Sequence, residues 1–98
     1  MTLALESMLR LSTTLQSERL ARTDLAEEGG VLLDLAGQQI LSLNRVGLYL
    51  VDLICQDTVS CEALAQRIAQ DFALDLTTAR ADVDAFVGRL AQFLGIPA

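Results

Sequence analysis

The apolar positions of this chain follow two rhythms, and the change between them falls at residue 44. Val31 to Leu35 and Gln39 to Leu43 are short β-prone runs. Ala36-Gly37-Gln38 between them carries a glycine, which predicts an antiparallel hairpin with a tight connection. From Arg45 onward Val46, Tyr49, Leu50, Leu53 and Ile54 recur at helical spacing, so a helix is expected from Arg45 to about Cys55. Asn44 is placed to cap it, its side-chain carbonyl accepting from an early helical N–H. The second strand of the hairpin is therefore tied to the helical body with no linker.

Two more helices follow. Gln56-Asp57-Thr58 breaks the pattern, Ser60 is a cap, and Val59 is positioned to staple against Leu64. Cys61, Leu64, Ala65, Ile68, Ala69 and Phe72 then mark one helical face. After a turn in DFALDLTT, with Asp75 or Thr77 as cap, a last helix is expected to about Leu94. Its buried stripe is Ala79, Val83, Phe86, Val87, Leu90 and Leu94; Gly95 ends it and Pro97 prevents its resumption. Upstream, residues 1–12 read as a loosely ordered arm in which Leu3, Leu5, Met8, Leu9 and Leu11 fit either an amphipathic turn or a strand. A single domain spans 13–96. Its first strand is expected within TLQSERL (14–20), followed by an excursion through ARTDLAEEGG whose Glu27-Glu28-Gly29-Gly30 is a turn signal.

Strands first and helices after make an α+β fold, with three helices on one side of a three-stranded antiparallel sheet. The outline is winged-helix-like, with the wing preceding the helices.

Charge and composition narrow the function. Ninety-eight residues, 52% of them hydrophobic, suffice for one core that folds without staples. Thirteen acidic residues oppose seven arginines and no lysine, and the arginines form no basic run, which argues against nucleic acid as a partner. There is no histidine, so no Ser-His or Cys-His pair exists, and no glycine-rich phosphate loop is present. Cys55 and Cys61 without further ligands do not make a zinc site and read as reduced thiols of a cytoplasmic protein. Asp71, Asp75, Asp82 and Asp84 match no metal loop and read as caps and solvated faces. Neither a catalytic residue nor a metal or cofactor is expected. The N-terminus MTLALESMLR lacks a basic leader, and Asp52 interrupts the longest apolar stretch well short of the roughly 18 residues of a membrane span. An acyl carrier would need Asp-Ser-Leu, whereas Ser42-Leu43 follows Leu41.

Binding remains, and the sheet supplies a means. A three-stranded sheet has open edges whose unpaired N–H and C=O groups can accept an extended peptide. Gln39 to Leu43 is the best placed strand, with Leu41 and Leu43 turned to the core and Ile40 and Ser42 to the opposite face.

Together VLLDLAGQQILSLNRVGLYLVDLI, TVSCEALAQRIAQDFALD and ADVDAFVGRLAQFLGI resemble the PqqD-like family of RiPP recognition elements, over about Val31 to Ile96. The parts that carry the resemblance are Leu43-Asn44-x-x-Gly47 at the strand-to-helix junction, the helix start from Thr58-Val59 to Leu64, and Asp82-Val83 followed by Phe86-Val87 and Leu90. The resemblance implies a domain that binds the leader of a ribosomally made precursor peptide as an added strand beside its third strand, in a cleft bounded by its third helix. The leader is thereby delivered to a modifying enzyme such as a leader peptidase, cyclase or radical enzyme. Carried onto this chain, the leader-binding residues are Gln39, Ile40, Leu41, Ser42 and Leu43 with Ala79, Asp82, Val83 and Phe86. Many stand-alone relatives carry aromatic residues where this chain has Gln39-Ile40-Leu41, so its cleft is expected to be aliphatic. The competing readings are an interaction or assembly domain that uses the same edge for another protein or for a homodimer, and a winged-helix DNA-binding regulator.

Overall fold

A computed structural model describes residues 4–96. A helix comes first: α1, Leu5–Leu15, lies where a loose arm and then a first strand were expected. Met8 and Leu11 sit fully inside the core, and α1 packs against the later helices. The polar residues Ser7 and Ser12 are buried with them. Ser12 is accommodated because its hydroxyl donates to the Ile54 carbonyl at 2.9 Å, while the Gln16 amide donates back to Ser12 Oγ at 2.9 Å. Residues 1–3 of the expected arm lie outside the described residues, as does Pro97.

The sheet is β1 (Leu20–Asp24), β2 (Gly30–Asp34) and β3 (Gln39–Leu43), antiparallel and in sequence order, so β2 is central. A one-turn 3-10 segment, Ala26–Glu28, fills the connection before β2. In β1 the positions facing the helices are Leu20, Arg22 and Asp24. Arg22 is neutralised there by hydrogen-bonded ion pairs to Asp24 at 2.7 Å and to Asp52. The strand thus begins later than its apolar content predicts and carries charge on its inward side.

The remaining helices are α2 (Arg45–Cys55), α3 (Cys61–Asp71) and α4 (Leu76–Leu94). The α+β order of a three-stranded antiparallel sheet followed by three helices is the one expected. Asn44 and Ser60 cap where the sequence puts them, and of the two candidates for α4 it is Asp75, not Thr77, that caps. Asn44 Oδ1 accepts from Gly47 N at 2.8 Å, Ser60 Oγ from Ala63 N at 3.2 Å and Asp75 Oδ1 from Thr78 N at 3.1 Å. Gly95 closes α4 in the left-handed conformation at φ 72°. The core lies between the inner sheet face (Leu32, Leu43) and the helices, filled by Leu50, Ile54, Leu64, Ile68, Val83, Val87 and Leu90.

One buried carboxylate fastens the corner where β1, β2 and α4 meet. Asp34, 2% exposed, takes a bidentate hydrogen bond from Arg19 at 2.8 Å on each oxygen, and Arg19 also donates to the Leu94 carbonyl at 3.3 Å. The Asp34 carboxylate further accepts from Ala36 N at 3.1 Å and from the Gly37 amide. The Arg19 guanidinium, and then these amides, hold its pKa down to about 2 against the opposing pull of desolvation.

Candidate functional site

Backbone alternation decides which groups the sheet leaves open. Leu35 N donates to Arg19 O and Leu25 N to Gly29 O, both at 2.8 Å, so the odd-numbered residues of β2 exchange hydrogen bonds with β1. Gly30, Leu32 and Asp34 are left to pair with Leu43, Leu41 and Gln39. It follows that Ile40 and Ser42 direct both their N–H and their C=O away from the sheet, at an edge where no described strand pairs with them. Their side chains lie on the outer sheet face, while Leu41 is half-buried and Leu43 buried on the inner one. Ile40 is 67% exposed.

The two edges differ in chemistry. Along β1, Arg22 pairs with both Asp24 and Asp52, which blunts that edge with charge. Along β3 the residues Gln39, Ile40, Leu41, Ser42 and Leu43 are all uncharged. Among the described strands, β3 is thus the sheet edge that carries no charged side chain.

Beside this edge run two adjoining hollows. One, of about 350 Å³, is lined by Glu28, Ser42, Leu43, Asn44, Phe86 and Arg89. The second, of about 190 Å³, is walled by Asn44, Val46, Gly47 and Leu50 on one side and by Asp82, Ala85, Phe86 and Arg89 on the other. Asn44, Phe86 and Arg89 are common to both. The α4 wall is the set 82, 85, 86 and 89, one helical face at i, i+3, i+4 and i+7.

Of the helix residues expected at the cleft, Asp82 and Phe86 are on this wall. Ala79 and Val83 are not: both are wholly buried in the core and line neither hollow. The expected quartet mixes two faces of α4, since 79, 83 and 86 belong to the stripe that packs inward while 82 faces out. Phe86 lies where the faces meet. Ala85 and Arg89 were missed, and continuing the helical spacing from Asp82 would have reached both.

Gly47 brings the two walls together. A Cβ at this position would stand 2.9 Å from Phe86 Cε1 and 3.3 Å from Asn44 Oδ1, so the absence of a side chain lets α2 close on α4.

A family model described as coenzyme PQQ synthesis protein D (PqqD) matches residues 29–92, from the turn before β2 to the last turns of α4. The chain belongs to the PqqD family. The match contains the whole β2–β3 hairpin, α2, α3 and most of α4, and every residue lining the two hollows except Glu28; because α1 precedes the sheet, the third helix after the sheet is α4 here. No curated protein and no solved structure gives a significant match. Membership in the PqqD family points to a peptide-binding accessory protein of ribosomal-peptide biosynthesis, non-catalytic and working with biosynthetic enzymes. Among the described residues of this PqqD-family chain no cluster of His, Cys, Asp or Glu could hold a metal ion, and no helix is long and apolar enough to cross a membrane.

Proposed function

We propose that this chain is a non-enzymatic recognition protein that binds the leader segment of a ribosomally synthesised precursor peptide by strand addition at β3 and presents it to a modifying enzyme. The observation that carries this reading is the uncharged free edge, where the outward backbone groups of Ile40 and Ser42 lie beside a hollow walled by Phe86 and Arg89. An added strand would gain ladder hydrogen bonds from those two residues and anchor its side chains on Leu43, Ala85 and Phe86.

Titration of the chain with a labelled leader peptide tests the reading. Ile40→Pro removes an outward donor and no bond to β2, so it should keep the fold by circular dichroism while weakening binding about tenfold or more. Leader binding that survives this change unaltered removes strand addition from consideration. A second reading, an assembly domain that uses the same edge, draws on the apolar row Ala21, Leu33 and Ile40 across the outer sheet face. Sedimentation separates the two: a dimer abolished by Ile40→Pro, with no leader affinity in the wild type, favours assembly.

A further inference from the structure

Three of the seven arginines, Arg10, Arg45 and Arg89, make no ion pair or hydrogen bond with another described residue. Arg19, Arg22 and Arg80 are paired with carboxylates and Arg67 donates to the Tyr49 hydroxyl. Of the three without a partner among the described residues, Arg89 is the one that lines both hollows beside β3. Glu28 and Asp82 share those hollows, yet neither comes within 4.0 Å of the Arg89 guanidinium among the described residues. Asp82 stands two turns away along α4, about 10 Å by helix rise.

We infer that the segment docked on β3 carries an acidic side chain, Asp or Glu, that pairs with Arg89, and that this pair sets the register of the added strand. The inference rests on the strand-addition reading. A segment lying in the groove strips water from Arg89, and a carboxylate compensates with charge-assisted, bidentate hydrogen bonds, whereas an apolar or basic side chain leaves the cation partly desolvated and unpaired. The backbone ladder cannot choose among registers two residues apart, because each slip of two restores the same hydrogen bonds to Ile40 and Ser42. A single charged anchor can choose, since side chains alternate faces and only one residue of the segment reaches Arg89 at a time.

The test is selection from a display library of short random peptides against the wild-type chain, Arg89→Glu and Ile40→Pro. Arg89 is an exposed helical position, so its reversal leaves the fold in place, which circular dichroism verifies. The expected wild-type pool shares one column rich in Asp and Glu, and the Arg89→Glu pool replaces that column with Lys and Arg. A selected peptide remade with Gln for the acid should bind the wild type about two- to fivefold more weakly, as for a partly exposed ion pair. Pools that depend on Ile40 but have no acidic column, or keep it unchanged with Arg89→Glu, overturn the inference and leave strand addition standing. Pools that are not enriched, or are indifferent to Ile40→Pro, overturn both.

Discussion

Gly29 is the residue whose replacement the structure forbids most plainly. It adopts φ 98° and ψ −122°, a conformation that only glycine visits readily, and a Cβ built there would lie 2.0 Å from the Leu43 carbonyl oxygen and 2.8 Å from the Asn44 carbonyl carbon. These are backbone atoms at the junction of β3 with α2, so no side chain can swing aside. Gly29→Ala carries about 1–3 kcal/mol of backbone strain. Displacing the junction adds about 1–3 kcal/mol, as for overpacking elsewhere. The stiffer unfolded chain returns about 0.4–1 kcal/mol. The net loss is about 1–5.5 kcal/mol of a stability that for a domain this size is about 5–15 kcal/mol. Urea unfolding followed by circular dichroism measures it, with a fall in Tm of about 10–30 °C expected alongside. Gly88→Ala is the counterpart: a Cβ there meets nothing within 4 Å on an exposed stretch of α4, and the change should stabilise by about 0.5–1 kcal/mol. A Gly29→Ala protein within about 0.5 kcal/mol of wild type would refute the close approach of residue 29 to the Leu43–Asn44 junction.

Two further predictions concern the parts that hold the sheet to the helices. Leu11→Ala should cost about 2–5 kcal/mol in urea unfolding, because Leu11 is fully buried in α1; a loss below about 0.5 kcal/mol would mean that α1 is not docked. Asp34 has a folded pKa of about 2 against an ordinary value near 3.9, so its contribution to stability is complete above that ordinary value and is lost as pH falls towards about 2. The urea-midpoint gap between wild type and Asp34→Asn should stay constant from neutral pH to about 5 and close between about pH 4 and 2. A gap independent of pH across that window would show that the Arg19–Asp34 pair does not hold the carboxyl down.

The features legible in the sequence were those a single residue declares. Asn44, Ser60, Asp75 and Gly95 each act on the backbone within a few positions of themselves, and each stands at its predicted helix end. The β2–β3 hairpin is legible for the same reason, although its left-handed position falls on Gln38 at φ 55° while Gly37 instead passes close to the Asp34 carboxylate. What escaped depends on distant partners. The apolar face of α1 is interrupted by Ser7 and Ser12, and Ser12 is tolerated in the core because partners including the carbonyl of Ile54, 42 residues away, satisfy its hydroxyl. Leu5 and Leu9 lie on the solvent side of the same helix at 62% and 50% exposure, so its hydrophobic pattern marks no single face. On α4 the residues singled out from the sequence mix two faces, Ala79 and Val83 from the inward stripe with Asp82 from the side that lines the hollow, where Arg89 also lies.

The groove beside β3 owes its shape to two glycines, Gly29 behind the strand and Gly47 in the wall of the second hollow. Gly29 lets the loop before β2 press on the Leu43–Asn44 backbone, which fixes where β3 ends and α2 begins. Gly47, whose amide holds the Asn44 cap at 2.8 Å, then lets α2 close against Phe86, so the same asparagine borders both hollows and sets the distance from the strand to the α4 wall. The edge and its facing helix are thus joined through backbone contacts and one capped turn. On the proposed reading, a strand added to an edge so held would lose less ordering entropy than one added to a mobile loop. By contrast β1, whose inward Arg22 is tied to Asp24 and Asp52, is the edge that charge keeps closed. One sheet therefore carries one charged and one uncharged margin, and the uncharged margin is the one set beside Arg89.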